Sequence, residues 1–323
     1  MVALGGMYLN GQGVIQSNVQ ALQWIKKAVA ADDTNAMRVL GNLYEAGQGV
    51  EQDYPYARQL YERAAEQGDV SGMDGLASLY ADGLGVPHDY LLAKKWYEKA
   101  AAGGDAIGMD GLASLYANGL GVPQDYALAK NWYEKAATAG DVFSMTALAS
   151  LYADGHGVSQ NYGLAKQWYE KAADSGDVSG MTALASLYVE GHGVLQDYLL
   201  AKKWYEKAAE AGDSGALSYM GWFYENGYGV PQDYALAKQW YEKAATAGDV
   251  FSMTALASLY ADGHGVPQDY VHAREWYEKA AVAGNSTAMN ELGKIYANGL
   301  GVGKDSVKAE EWIQKAKESH AKE

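Results

Sequence analysis

Several groups of residues in this 323-residue chain carry side chains at spacings that chemistry uses. Gly212-Asp213-Ser214-Gly215 has the residue order that surrounds the nucleophilic serine of many hydrolases, where a neighbouring base takes the hydroxyl proton. Ser319-His320-Ala321-Lys322 has the S-x-x-K spacing in which a lysine one turn away serves a serine that attacks β-lactams. His156, His192 and His264 each stand between two glycines, and imidazole is the commonest metal ligand. Glu98, Glu134, Glu170, Glu206, Glu242 and Glu278 recur at one spacing and offer carboxylates for acid–base work.

The surroundings of each argue against that chemistry. Ser214 lies in a short turn ahead of a helical pattern, with Asp213 placed as the helix cap and no barrel-forming strand pattern nearby. The S-x-x-K string sits in a polar tail without the motifs that accompany it in enzymes. With one histidine per loop and two helix layers between loops, each about 8–10 Å thick, three imidazoles cannot come within ~2.0–2.2 Å of one ion. His88 and His272 are isolated and expected to face solvent. The glutamates are one surface position copied, whereas catalysis needs converging, unlike groups. Asn285-Ser286-Thr287 forms a glycosylation sequon but opens a helix. Cysteine is absent, which removes disulfides, thiolate metal sites and a cysteine nucleophile. The expectation is a chain with no catalytic residue, no metal and no cofactor.

What positions these side chains is a repeat. Tyr8, Tyr44, Tyr80, Tyr116, Tyr152, Tyr188, Tyr224, Tyr260 and Tyr296 follow one another at steps of 36 residues. Trp24, Trp96, Trp132, Trp168, Trp204, Trp240, Trp276 and Trp312 keep the same period, with Leu60 in the missing slot. A G-x-G-V element recurs in register from Gly11 to Val302. Segments 123–158 and 231–266 differ only at Asn131 versus Gln239. Within residues 69–104, Met73, Leu76, Ala77 and Tyr80 lie on one helical face behind Asp69 as N-cap, and Gly83 ends that helix. Asp89 caps a second helix with Ala93, Trp96, Tyr97 and Ala100 on its apolar face, and Gly104 ends it. Each repeat is thus an A helix, a loop, a B helix and a tight turn. Stacked hairpins supply one another's core. A central tryptophan such as Trp132 is expected to contribute about 3–5 kcal/mol to that core.

The A-helix Met–Leu–Ala–Tyr pattern, the G-x-G-V loop and the run Asp125, Tyr126, Ala129, Trp132, Tyr133, Lys135, Ala136, Ala137, Gly140 resemble the Sel1-like repeat family, a relative of the tetratricopeptide repeat. The resemblance covers nearly the whole chain. It implies an all-α fold, a right-handed α/α superhelical solenoid of about nine 36-residue repeats over residues 1–323. It also implies a non-enzymatic role in protein–protein interaction, as scaffold or adaptor and in a bacterial setting, or more narrowly as an immunity or inhibitor protein clasping an effector. The rival class is a hydrolase of cell-wall or β-lactam substrates. Some secreted relatives carry a disulfide in each repeat, from which this cysteine-free chain departs. Repeat 1 begins partway into its first helix, and the polar segment 306–323 reads as a C-terminal cap.

A net charge of −15 argues against nucleic acid as partner. Much of that acidity is architectural, because aspartates open both helices of most repeats. No apolar run approaches the ~18 residues of a membrane span. No signal segment opens the sequence, and the compartment stays open between cytoplasm and, for a processed piece, periplasm or exterior. Oligomerisation is expected to range from monomer to weak end-to-end association. In the resembled family the A helices line the concave side. Positions equivalent to 71, 74, 78 and 82 form a ladder of short polar residues there, leaving room for a bound segment. Phe143, Trp222 and Phe251 interrupt it as expected anchors for a polypeptide, with Asp74, Asp110, Asp154, Glu190 and Asp262 selecting polar or basic groups. Repeat 7 departs most from the others, carrying Leu217, Tyr219, Met220, Gly221, Trp222 and Phe223. Its inward residues read as a compensated core.

Overall fold

A computed structural model describes residues 1–320 of the chain, and residues 321–323 of the expected cap and of the S-x-x-K string lie outside the described residues. The described residues form eighteen α-helices and no strand. The hairpins are α1 (Val2–Asn10) with α2 (Asn18–Ala30), α3 (Thr34–Ala46) with α4 (Tyr54–Glu66), and α5 (Val70–Asp82) with α6 (Tyr90–Ala102). They continue with α7 (Ala106–Asn118) and α8 (Tyr126–Thr138), α9 (Val142–Asp154) and α10 (Tyr162–Asp174), and α11 (Val178–Glu190) and α12 (Tyr198–Glu210). The last three pairs are α13 (Ser214–Asn226) with α14 (Tyr234–Thr246), α15 (Val250–Asp262) with α16 (Tyr270–Val282), and α17 (Ser286–Asn298) with α18 (Ser306–His320). The chain divides into two compact units, the first ending at Trp168 and the second starting at Tyr169.

Helix boundaries follow from caps. Asp69 accepts from the Gly72 N–H at 2.7 Å and Asp89 from the Leu92 N–H at 2.9 Å, satisfying donors that a helix N-terminus leaves free. Gly83 closes α5 in the left-handed region at φ +66°, and its N–H returns to the Leu79 carbonyl. The second loop glycine has a further duty. A Cβ on Gly85 would sit 2.4 Å from Tyr54 Cβ, and one on Gly121 2.5 Å from Tyr90 Cβ. The G-x-G-V loops at Gly49, Gly85, Gly121, Gly157, Gly229, Gly265 and Gly301 therefore pack against the start of the preceding repeat's B helix. The glutamine after the loop locks it: Gln124 Nε2 donates to the Ala117 carbonyl and Gln268 Nε2 to the Ala261 carbonyl, each at 2.7 Å. His88, exposed as expected, takes the glutamine's place with Nδ1 2.7 Å from the Ala81 carbonyl.

The core differs from the sequence reading at the aromatic pair of the B helix. Tyrosine is the buried member: Tyr61, Tyr205 and Tyr241 are among the largest fully buried side chains. The tryptophans are only half-buried. Lys99 lies 3.9 Å from the ring centroid of Trp96, Lys135 3.9 Å from Trp132 and Lys279 3.7 Å from Trp276. Trp132 thus packs against the core cluster of Tyr97, Leu112 and Leu115 and keeps a further face under a cation.

Small residues make room for the tyrosines. A Cβ on Gly111 would stand 2.4 Å from the Tyr97 ring, and one on Gly221 2.5 Å from the Tyr241 ring. In repeat 7 Met220 and Phe223 are fully buried where most other repeats carry leucine, as the reading of a compensated core requires.

Candidate functional site: an aromatic cleft on the A helices of the second unit

The serine ladder is not simply a vacant strip. Ser186 Oγ is 2.8 Å from the Tyr205 hydroxyl, Ser258 Oγ 2.9 Å from that of Tyr277, and Ser78 Oγ 3.2 Å from that of Tyr97. These serines satisfy buried phenols, which must keep a hydrogen-bond partner once out of water. Burial pushes Tyr97 and Tyr277 up to about 12, so they stay protonated. In repeat 7 Trp222 stands in the serine's place and has no hydroxyl to offer. Tyr241 donates instead to Glu225 Oε2 at 2.6 Å. Glu225 replaces an alanine or valine of most other repeats, so the two exchanges, Trp222 and Glu225, compensate each other. Tyr61 shows the same solution in repeat 2, donating to Glu45 Oε2 at 2.6 Å beside Asn42.

Freed from that duty, Trp222 joins an aromatic cluster. Its ring centroid is 6.1 Å from that of Tyr219 with the planes at 85°, 4.7 Å from Tyr228 and 5.4 Å from Phe223. Tyr219 stacks on Tyr205 at 4.3 Å with the planes 12° apart. Beside these rings opens a cleft of about 480 Å³, lined by Val189, Tyr219, Trp222 and Phe251 together with Gly215, Ser218 and Asp249. Ser252 Oγ donates to Ser218 Oγ at 2.9 Å beneath it. A smaller cleft of about 290 Å³ shares Tyr219 and Gly215 with it and is further lined by Thr182, Ser186, Tyr205 and Asp213.

The ladder residues fall into three groups. Trp222 and Phe251 meet in the cleft. Phe143 is 74 % exposed on α9 in the first unit. Asp74 and Asp110 are half-buried on α5 and α7, with Asp110 accepting from Ser144 Oγ at 2.6 Å. Asp154, Glu190 and Asp262 are exposed terminal residues of α9, α11 and α15, and Glu190 pairs with His192 at 2.8 Å. Tyr219, Val189 and Asp249 were not among the expected site residues. For Tyr219 the signal was present: its equivalents 75, 111, 147, 183 and 255 are glycine or alanine.

His156 and His264 stack on Tyr126 and Tyr234 at 4.8 and 4.6 Å, so their loops use the imidazole as a flat packing surface. Among the described residues, no three histidine, aspartate or glutamate side chains are grouped to hold a metal ion. No helix there is long and apolar enough to cross a membrane.

The Sel1 repeat model matches nine successive segments, 1–33, 34–69, 70–105, 106–141, 142–177, 178–213, 214–249, 250–285 and 286–319. The chain belongs to the Sel1 repeat family. Each matched segment after the first begins within one residue of an A-helix start, which is the boundary the caps define. The Sel1 solenoid is similar to the crystal structure of c5321, a protective antigen present in uropathogenic Escherichia coli strains and displaying an SLR fold. Identity is 37 %, the TM-score is 0.81, and the match covers 98 % of this chain and 68 % of that one. It is also similar to a Sel1 repeat protein from Oxalobacter formigenes, at 32 % identity and a TM-score of 0.71, covering 92 % of this chain and 87 % of that one. No curated protein matches the sequence. Sel1 repeat proteins generally serve as protein-interaction scaffolds and are typically non-catalytic.

Proposed function

We propose that this Sel1 repeat protein is a non-enzymatic scaffold that binds a polypeptide partner, and that the A-helix face of its second unit is where the partner docks. One observation carries the reading: repeat 7 breaks the copied pattern with Tyr219 and Trp222, and these line an open cleft with Phe251. Tyr219 is 40 % exposed and Phe251 55 % exposed, so both rings present apolar surface at the cleft. Aromatic side chains in pockets dominate interface energies. Two clefts that share Tyr219 and Gly215 in their linings suit an extended chain presenting successive side chains. The repeated B-helix surface, with Lys94–Glu98 and Lys130–Glu134 pairs one turn apart, is a solvated face.

The test is selection of random displayed peptides on the immobilised full-length protein. Recovered peptides should bind wild type and Lys95→Ala equally, and lose about thirtyfold or more in affinity to Trp222→Ala, the loss of a ~2 kcal/mol anchor. Equal losses in both variants would place docking elsewhere.

A further inference from the structure

Resting on that docking reading, we infer that the cleft beside Trp222 receives a cationic side chain, the lysine or arginine of the partner polypeptide, rather than an apolar anchor. The first argument is a missing residue. The chain has nine tryptophans: the eight in the copied B-helix slot are each followed three residues later by a lysine, whereas Trp222 stands in the serine slot of an A helix and is not. That lysine lies over the ring: Lys27 is 4.6 Å from the Trp24 centroid, Lys207 4.1 Å from Trp204, Lys243 4.5 Å from Trp240 and Lys315 4.3 Å from Trp312. The position three residues after Trp222 is Glu225, which is committed to the Tyr241 hydroxyl. Among the described residues, Trp222 is therefore the tryptophan over which no cation of the chain is placed.

The second argument is the shape and charge of the cleft. Tyr219 and Trp222 stand nearly at right angles, and Phe251 adds a third ring, so electron-rich faces border one space. A cation within about 6 Å of such faces is held by the ring quadrupoles, more strongly as water is displaced. The one carboxylate of the lining is Asp249. Its Oδ1 accepts from the Ser252 N–H at 2.7 Å, while its Oδ2 has no hydrogen-bond partner among the described residues. Among the described residues no lysine or arginine lines the cleft. Val189 offers apolar surface to the methylene stem that precedes an ammonium or guanidinium. With a net charge of −15, the long-range field also draws basic segments toward the molecule.

The experiment extends the peptide selection with defined probes. For each recovered peptide that depends on Trp222, every lysine or arginine and every large apolar residue is replaced singly by norleucine and by alanine respectively. Binding is measured by fluorescence anisotropy to wild type, Trp222→Leu and Asp249→Asn, with the thermal midpoint of each variant checked first. The expected result is one basic position whose change to norleucine costs about tenfold, a similar loss with Trp222→Leu, which keeps apolar bulk without a π face, and a smaller loss with Asp249→Asn that vanishes at high salt. Peptides that instead depend on one aromatic or aliphatic residue, and bind Trp222→Leu as tightly as wild type, would overturn the cation inference while leaving the docking reading intact. Recovery of no peptide that depends on Trp222 or Phe251 would overturn both.

Discussion

Asp74 and Asp110 hold equivalent positions one repeat apart, yet only Asp110 is given a hydroxyl to accept from. The residue that would serve Asp74 as Ser144 serves Asp110 is Gly108, and Asp74 Oδ1 is buried without a partner. Burial, reinforced by Asp105, Asp110 and Glu45, pushes Asp74 up to about 7. In the unfolded chain the same carboxyl titrates at about 3.9. Between those values the folded state holds a proton that the unfolded state has lost, so stability falls as pH rises from about 4 to 7. Asp74→Asn should therefore leave the urea midpoint nearly unchanged at pH 4 and raise it relative to wild type at pH 8. An equal difference at both values would show that Asp74 is not the titrating group. The acid itself was legible in the sequence as part of the A-helix ladder. Its missing partner was not, because the pairing joins residues 34 apart on neighbouring helices.

At the scale of the element, the helices and their ends were the most legible part of the chain. Aspartate caps and left-handed glycines act within a few residues, so α5 runs between Asp69 and Gly83 as its sequence requires. The second loop glycine was visible as a motif, but its physical reason lies in another repeat. Gly265 at φ +69° and Gly248 at φ +94° both take a left-handed conformation. A Cβ on Gly265 would stand 2.7 Å from the Tyr234 backbone, whereas one on Gly248 meets nothing within 4 Å. Gly265→Ala should therefore cost more stability than Gly248→Ala, by roughly 1–3 kcal/mol for the added overlap, as read from denaturant midpoints. Equal costs would mean that the glycine serves the turn alone. The assignment of tryptophan to the core went the other way. Tryptophan and tyrosine sit side by side on the same helical face, and periodicity cannot tell which of two neighbours takes the interior.

At the scale of the molecule, copying separates what a repeat is from where it stands. Segments 123–158 and 231–266 are identical but for Asn131 and Gln239, and fold into the same loop, helices and turn. Phe143 and Phe251 occupy the same place in the two copies. Phe251 borders the cleft because the preceding repeat brings Tyr219 and Trp222, whereas the repeat before Phe143 has Gly111 and Ser114 at those positions. Phe143 is 74 % exposed and Phe251 55 %. Hydroxyl-radical footprinting should oxidise Phe143 faster than Phe251, and Trp222→Ala should raise the rate at Phe251 alone. A change at Phe143 of the same size would indicate general loosening of the fold.

The sequence by itself determined the all-α Sel1 repeat architecture, its 36-residue step, its caps and loops, and the positions where the copies disagree. Those features rest on local forces that act within one turn of helix or one hairpin, and repetition wrote them nine times over. Tertiary structure alone decided which disagreements matter. It turned Ser186 and Ser258 into partners for buried phenols, let Glu225 relieve Trp222 of that duty, and gathered Val189, Tyr219, Trp222, Asp249 and Phe251 around one cleft. Those contacts join residues from three successive repeats of the second unit. Whether a side chain there is used up internally or left facing outward depends on its neighbours across the stack, which no local pattern records.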